Sequence, residues 1–190
     1  SDRTVLIAVM KVTNKILLMC AGLIFFCISM AVSAEPGAEK KNTFTVNEYQ
    51  VSGNTMLPTI RVETAVYRYL GENKTIDDVE QARVALENEY HNAGYLTVLV
   101  DIPEQSVGSG MVQLKVTEGS VEKTRVVGSH YFSLNKILAK VPELAVGNVP
   151  YFPDLQKQLV DANSVTDLKV TPVLRPGNTP GKLEAELKVE

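Results

Sequence analysis

Apolar and polar residues alternate in several short segments of the chain, and each segment predicts a β-strand because alternate strand side chains face opposite sides. The clearest segment is 96–102, where every second residue is apolar and Leu99 adds an apolar side chain on the opposite side. In the first segment the apolar positions change parity between Val46 and Tyr49. The remaining segments of this kind are 44–51, 112–116, 121–127, 168–174 and 183–189.

Apolar residues at helical spacing lie between these segments and predict four helices. The first helix carries Val62 and Val66 on one face, and Gly71 is placed to end it. Thr75 begins the second helix, with Asp78 three residues later as a variant of the capping box. The predicted buried stripe of this second helix is Val79, Ala82, Leu86, Tyr90 and Ala93.

The order strand, helix, helix, strand, strand occurs twice, with a period of about 75 residues. In the second copy a short helix around Ile137 is limited by Pro142, which lacks an amide hydrogen, and a further helix surrounds Leu155 and Leu159. A repeat of this length indicates two domains in tandem rather than a solenoid. The predicted fold class is α+β, with two β-α-α-β-β domains that each pack two helices on a three-stranded mixed sheet.

The N-terminal segment has the organisation of a secretory signal peptide. Lys11 and Lys15 precede an apolar run at 16–32, and a small-x-small site ends at Ala34. An uncleaved membrane anchor is the alternative, since the run is almost long enough to span a bilayer. No basic cluster follows the run, and this favours cleavage after Ala34. Residues 1–9 precede the natural start at Met10 and are interpreted as upstream sequence.

Removal of residues 1–34 changes the chemistry that the chain can carry. The formal net charge is −3 for the whole sequence and becomes −5, because three basic residues and one acidic residue are lost. An acidic chain is a poor ligand for nucleic acid, whose phosphates are neutralised by clustered Lys and Arg. Cys20 and Cys27 lie in the predicted signal peptide, so the exported chain has no thiol chemistry.

Four short strings complete the pattern of the repeat and the signal. They are Val51-x-Gly53-Asn54-Thr55-x-Leu57, Tyr90-x-x-Ala93-Gly94-Tyr95, Val116-x-Glu118-Gly119, and Val170-Thr171-Pro172-Val173-Leu174-Arg175-Pro176-Gly177 followed by Pro180-Gly181. They resemble the POTRA region of outer-membrane transporters for two-partner secretion, the haemolysin-activator or ShlB-type family. The first three are shared by POTRA domains generally, and the last resembles the two-partner secretion branch. The predicted division is signal peptide 1–34, tether 35–42, first POTRA domain 43–118 and second POTRA domain 119–190.

The resemblance implies a location and a partner. In that family the POTRA pair stands in the periplasm before a membrane β-barrel and recognises a secreted exoprotein of the haemolysin or adhesin type. We therefore expect a periplasmic protein that binds such a partner. No barrel sequence follows Glu190, so association with the outer membrane would depend on a barrel missing from this chain, which is expected to be a fragment or the product of a truncated gene.

The resemblance also implies that the second strand of each unit is an exposed sheet edge, at 96–102 and 168–174. Unpaired backbone groups along such an edge can bind an extended segment of another chain by strand addition. The side chains expected to add selectivity are Thr97, Leu99 and Asp101. As an alternative, Leu99 is an accessory core position or the strand is covered by the neighbouring domain. Pro172 removes a donor from the second edge, which favours the first domain for capture.

Two tyrosines and one arginine complete the candidate binding residues. Tyr90 and Tyr95 flank the end of the long helix and could line a groove for apolar partner side chains, although buried core tyrosines are the alternative. Arg175 lies in a predicted turn at 175–181 and is a candidate contact for the barrel or for the secreted partner. Its alternative is an ordinary solvated turn residue.

The patterns of common catalytic and metal sites are missing from the sequence. His91 and His130 have neither nearby cysteines nor H-x-x-x-H spacing, so no metal site is predicted. Gly108-Ser109-Gly110 lacks the residues of a phosphate loop, and no nucleophile elbow occurs. Glu87 and Glu89 are expected as surface acids of a helix. We therefore predict no enzyme activity, no cofactor and no small-molecule substrate.

Two other functions remain as alternatives. One is a POTRA scaffold of the general outer-membrane protein assembly machinery, which contacts lipoproteins and nascent barrels. The other is a signal-anchored division-type protein with a single POTRA domain. The predicted cleavage site and the second repeat argue against this last alternative.

Overall fold

The computed structural model describes residues 42–129, 133–164 and 169–190. Residues 41–190 form one compact unit. The predicted signal peptide at 1–34 and all of the tether except Asn42 lie outside the described residues, as does His130.

The first repeat, residues 44–118, contains five strands and two helices. They are β1 Phe44–Val46, β2 Glu48–Ser52, α1 Thr59–Tyr67, β3 Gly71–Lys74, α2 Ile76–Asn92, β4 Val98–Asp101 and β5 Met111–Glu118. The main sheet has the order β2-β5-β4, with β2 parallel and β4 antiparallel to the central β5. The helices α1 and α2 pack on one face of this sheet around a core that includes Leu86, Tyr90 and Leu114.

The capping box predicted for α2 is present. The backbone N–H of Thr75 donates to Asp78 Oδ2 at 2.8 Å, and the N–H of Asp78 donates to Thr75 Oγ1 at 3.4 Å. These two bonds satisfy amides that the first turn of a helix leaves without partners. The predicted stripe from Val79 to Tyr90 is buried, while Ala93 is half-buried.

The first predicted strand is two strands in the structure. The chain bends at Asn47, whose N–H donates to Gly110 O at 2.7 Å, so the parity change marks the end of β1 and the start of β2. The strand β1 pairs with β3, which the sequence did not predict because residues 71–74 are mostly polar. The helix α1 ends at Tyr67, before the predicted stop at Gly71.

The second repeat, residues 120–189, has the same sheet topology. Its elements are β6 Ser120–Val127, α3 Leu134–Leu138, a 3₁₀ turn Pro142–Leu144, α4 Phe152–Asn163, β7 Val170–Pro176 and β8 Lys182–Val189. The sheet order is β6-β8-β7, with β6 parallel and β7 antiparallel to β8. The predicted α+β class with two β-α-α-β-β repeats is therefore confirmed. Arg175 lies within β7 and not in the predicted turn.

The two repeats are in direct contact. A single residue, Gly119, separates β5 from β6. The first amide of α4, on Phe152, donates to Gly94 O at 2.9 Å, and the ring of Tyr151 lies 5.3 Å from that of Tyr95. Gly94 has φ +101°, and a Cβ there would lie 2.7 Å from Tyr151 Cε2. The glycine is therefore required for both the helix end and the contact between repeats.

Candidate partner-binding site

The strand β4 lies at the end of the first sheet, where the sequence places a binding edge. Leu99 lies opposite Thr117 of β5. Because successive strand residues point their backbone groups in opposite directions, the backbone groups of Leu99 point toward β5 when those of Val98 and Val100 point away from it. The hydrogen bonds that Val98 and Val100 make with residues outside the sheet establish this orientation.

The outward groups of Val98 and Val100 are all occupied. The N–H of Val98 donates to Tyr95 O at 3.4 Å, and the carbonyl of Val98 lies 3.0 Å from His91 Nε2. The N–H of Val100 donates to Glu87 Oε2 at 3.0 Å, and the carbonyl of Val100 accepts from Arg83 Nη1 at 3.1 Å. The expectation that this edge carries unpaired backbone groups is therefore wrong at both residues. Glu87, expected as a surface acid of the helix, is bonded to the strand, and so is His91.

Arg83 is fixed by two ion pairs on its own helix. Its guanidinium lies 2.7 Å from Glu80 and 3.0 Å from Glu87. The hydrogen bond to Glu80 raises the pKa of Arg83, and the same bond lowers the pKa of Glu80 below its ordinary value. The guanidinium is therefore held in place at Val100 O as a charged donor.

Of the three residues predicted to give the edge selectivity, Leu99 and Asp101 lie in β4 on the outer face of the sheet, and Thr97 lies in the turn that precedes β4. The side chain of Leu99 is 56% exposed, and Asp101 is exposed as well. Thr97 is half-buried and its hydroxyl donates to Gly119 O at 3.2 Å. Leu96, 50% exposed, precedes them in the chain. The structure thus places two exposed apolar side chains next to the edge, and Leu99 is not an accessory core residue.

Tyr90 does not line a groove. It is fully buried in the first core, where its hydroxyl donates to Glu118 Oε1 at 3.3 Å. Burial, with Glu118 as the nearest charge, raises the pKa of Tyr90. The prediction of a partner contact at Tyr90 is therefore wrong, and the alternative of a core tyrosine is correct.

Tyr95 packs against the second repeat instead of facing an open groove. Its ring is tilted 48° to that of Tyr151, and burial raises its pKa. Tyr95 therefore has a role in joining the repeats, and a partner contact at its half-buried ring stays a prediction.

Arg175 lies on a different sheet from Leu99, near the end of β7. Its side chain is 60% exposed and its guanidinium lies 3.9 Å from Glu186. The structure therefore leaves Arg175 accessible but does not place it on the sheet that carries the other candidate residues.

The edge formed by β7 is closed in another way. Asn163 accepts from the N–H of Val170 at 2.6 Å and donates to the carbonyl of Val170 at 3.1 Å. Lys169 exchanges both backbone bonds with Glu190, so the even-numbered residues of β7 face outward. Two of these, Pro172 and Pro176, have no N–H to donate.

Glu118 has a structural role that the sequence pattern did not predict. Its carboxylate accepts from the backbone amides of Thr55 at 2.6 Å and Met56 at 2.8 Å, as well as from Tyr90. It thereby fixes the turn before α1 to the end of β5. The string Val116-x-Glu118-Gly119 contained the signal, but the sequence did not show which residues the carboxylate would bind.

The described part of the chain offers neither a metal centre nor a membrane-spanning helix. Among residues 42–129, 133–164 and 169–190, no group of three or more His, Cys, Asp or Glu could hold a metal ion. Within the same ranges, every helix is too short or too polar to cross a membrane.

Comparison with known proteins assigns this architecture to a class. Residues 44–119 match the family model described as POTRA domain, ShlB-type. The outer membrane transporter CdiB of Dickeya dadantii (strain 3937) is 25% identical over 143 residues, which cover 73% of this chain and 24% of that protein. The chain therefore spans about a quarter of the length of the curated relatives it matches.

Solved structures show the same fold. CdiB from Escherichia coli superimposes with a TM-score of 0.70 at 23% identity, covering 83% of this chain and 29% of that one. The N-terminal domain of Omp85 from Thermosynechococcus elongatus gives a TM-score of 0.65 at 20% identity, covering 76% and 65%. Residues 44–119 are a POTRA domain of the ShlB type. The match over residues 44–119 and the similarity to CdiB agree with the resemblance to the ShlB-type POTRA region that the sequence strings indicate.

Proposed function

We propose that the chain is the periplasmic POTRA part of an outer-membrane two-partner secretion transporter and that it binds the secreted partner protein. The observation that carries the proposal is the ShlB-type POTRA match over residues 44–119. Export by a signal peptide at 1–34, cleaved after Ala34, belongs to the same proposal. The role is binding of a haemolysin- or adhesin-type protein during its export, without catalysis.

The proposed mode of binding is strand addition at β4. This strand ends its sheet, so a further strand can be added without separating β4 from β5. The incoming backbone would replace the bonds that now reach Val98 and Val100 from outside the sheet. Apolar partner residues would pack on Leu99 and Leu96, both of which are at least half exposed.

The remaining predicted contacts would give selectivity. Asp101 is an exposed acid at the end of β4 and would favour a basic residue in the partner. Thr97 would contribute its methyl group, because its hydroxyl already donates to Gly119. Arg175 is proposed as an additional contact on the second repeat.

A binding titration tests the proposal. The full chain, exported and purified from the periplasm, is titrated with the N-terminal fragment of the secreted protein encoded beside it. We expect saturable binding that Leu99→Asp weakens about tenfold or more, since a charge would be buried against the apolar partner side chain. Arg175→Ala should have a smaller effect, because an exposed charge contributes little to affinity.

The matched control is Val160→Glu, which places a charge at a 69% exposed residue of α4, far from β4 in the topology. It should bind as tightly as the unmodified chain. Equal losses for Leu99→Asp and Val160→Glu would show a nonspecific effect of charge. Absence of binding by a folded protein at high micromolar concentration would contradict the proposed function.

A scaffold role in outer-membrane protein assembly is the second candidate. It is favoured by the likeness to the N-terminal domain of Omp85, at a TM-score of 0.65. The same titration distinguishes the two functions. A scaffold would leave the secreted fragment unbound and would instead bind unfolded outer-membrane proteins, which serve as the second probe.

A further inference from the structure

The three side chains of α2 that bind the outer edge of β4 form a single row. Arg83, Glu87 and His91 are spaced four residues apart and therefore lie on one face of the helix. They are called the latch below. Arg83 and Glu87 bond the two outward groups of Val100, and His91 bonds the carbonyl of Val98.

The spacing of this row matches the spacing of the strand. Four helical residues advance about 6 Å, and two strand residues advance about 6.8 Å. Glu87 and His91, four helical residues apart, therefore reach Val100 and Val98, two strand residues apart, and Arg83 reaches the second outward group of Val100. Arg83 presents a donor to the carbonyl of Val100, Glu87 presents an acceptor to the N–H of Val100, and His91 presents a ring nitrogen to the carbonyl of Val98. An added strand would present donors and acceptors at the same places.

The latch can leave the strand without losing its own ion pairs. The side chains of Arg83 and Glu87 are each 22% exposed, so water can reach both. Their mutual ion pair and the pair of Arg83 with Glu80 do not involve β4 and can persist after release. The exchange replaces side chain-to-backbone bonds, two of them with charged groups, by backbone-to-backbone bonds, so the partner must offset the difference with further contacts such as those to Leu99.

We propose that the latch is a displaceable cover of the binding edge, and that an extended segment of the secreted partner binds β4 by replacing it. This inference rests on the proposed function. The partner segment must supply amide hydrogens to the carbonyls of Val98 and Val100 and a carbonyl to the N–H of Val100. It therefore cannot contain proline at the donating positions, and a segment that binds weakly leaves the latch closed.

Removal of the latch tests the inference. The full chain carrying Arg83→Ala, Glu87→Ala and His91→Ala is titrated with the same N-terminal fragment. We expect a Kd about tenfold lower than that of the unmodified chain, because binding no longer has to displace the latch bonds. The matched control is Arg61→Ala with Glu89→Ala, which removes a 2.6 Å ion pair between α1 and α2 that involves no residue of β4. Its Kd should be unchanged.

Amide hydrogen exchange of Val100 gives an independent readout. In the free latch variant this amide should exchange at least about tenfold faster than in the unmodified chain, since Glu87 no longer accepts from it. Addition of the partner fragment should slow it again. If the triple variant is unstable, Glu87→Gln replaces it, because an uncharged acceptor binds the Val100 amide more weakly. We then expect a Kd about two- to threefold lower, because the bond that the partner must displace is weakened but not removed.

The outcomes separate the inference from the proposed function. If the unmodified chain binds but the variants bind no more tightly, or Val100 stays unprotected in the complex, the latch is overturned while the proposed function stands. If no folded variant binds the fragment saturably, both are overturned. Tighter binding of the latch variant together with slowed exchange at Val100 supports the inference.

Discussion

The two sheets have the same strand order but close their outer edges by different means. At β4 three of the four outward backbone groups of Val98 and Val100 are bonded by side chains of α2, and these bonds can be exchanged. At β7 the amide of Asn163 binds both groups of Val170, and Pro172 and Pro176 have no N–H at all. No rearrangement of side chains can restore a donor that proline lacks.

The difference shows that protection against aggregation and availability for binding need not exclude each other. An edge strand with unpaired groups invites pairing with any extended chain. The prolines of β7 prevent this permanently, whereas the latch of β4 prevents it until a better partner arrives. Under the proposed function, the first repeat would capture the partner and the second would support it.

Leu99→Pro tests the orientation of β4 on which the comparison depends. Because the backbone groups of Leu99 point toward β5, proline at this position removes an N–H that bonds to β5 and leaves a carbonyl of β5 without its donor. The free energy of unfolding should fall by about 2–3 kcal/mol. The free energy of unfolding should fall by less in Leu99→Asp, because aspartate keeps the backbone N–H. Denaturant titration measures both, and equal stability of the two variants would contradict the assigned orientation.

Asn163→Ala opens the second edge at its first position. Loss of the two bonds to Val170 should destabilise the protein by about 1–2 kcal/mol. Affinity for the secreted fragment should not rise, because the prolines remain. Thermal unfolding and the binding titration check the two parts. A gain in affinity as large as that of the latch variant would remove the distinction between the edges.

Pro172→Val with Pro176→Val gives β7 its missing donors. We expect a change of less than about 1 kcal/mol in stability, because both residues face outward and make no ladder bond there. The variant should self-associate at concentrations where the unmodified chain is monomeric, since its edge can now pair. Sedimentation velocity measures this, and an unchanged sedimentation coefficient would show that the prolines are not what closes the edge.

Glu80 gives the smallest effect. The hydrogen bond from Arg83 lowers the pKa of Glu80 below its ordinary 4.5. Because the folded pKa is the lower one, the stability from this pair is fully present above pH 4.5 and is lost as the pH falls through the lowered value. The pair is exposed, so the effect on stability is small. Titration of the carboxyl carbon by NMR should show a pKa below 4.5 that returns toward 4.5 in Arg83→Ala.

Much of the fold could be predicted from the sequence because each repeat is locally consistent. The alternation at 112–116, the capping box at Thr75 and the stripe ending at Tyr90 all indicate the elements that form. The strand β3 could not be predicted, because Glu72, Asn73 and Lys74 show no apolar alternation and pair only through their backbone.

The sequence predicted where the candidate site lies, but not that side chains of α2 already bond its backbone groups. Leu99 stands out as an apolar residue on the polar side of its strand, and it is exposed. Glu87 and His91 look like ordinary surface residues of a helix, since sequence spacing shows which residues share a face but not which strand lies beside that face. Tyr90 and Tyr95 flank the same helix end, yet one lies in the core and the other against Tyr151.

Site-specific photo-crosslinking tests the central claim most directly. One variant carries a photoreactive residue at Leu99 in β4, and a second carries it at Thr171, an exposed residue of β7. Each protein is illuminated with the bound secreted fragment. Capture at β4 predicts that the fragment is crosslinked mainly from position 99. Crosslinking mainly from position 171, or equally from both positions, would contradict the assignment of capture to the first repeat.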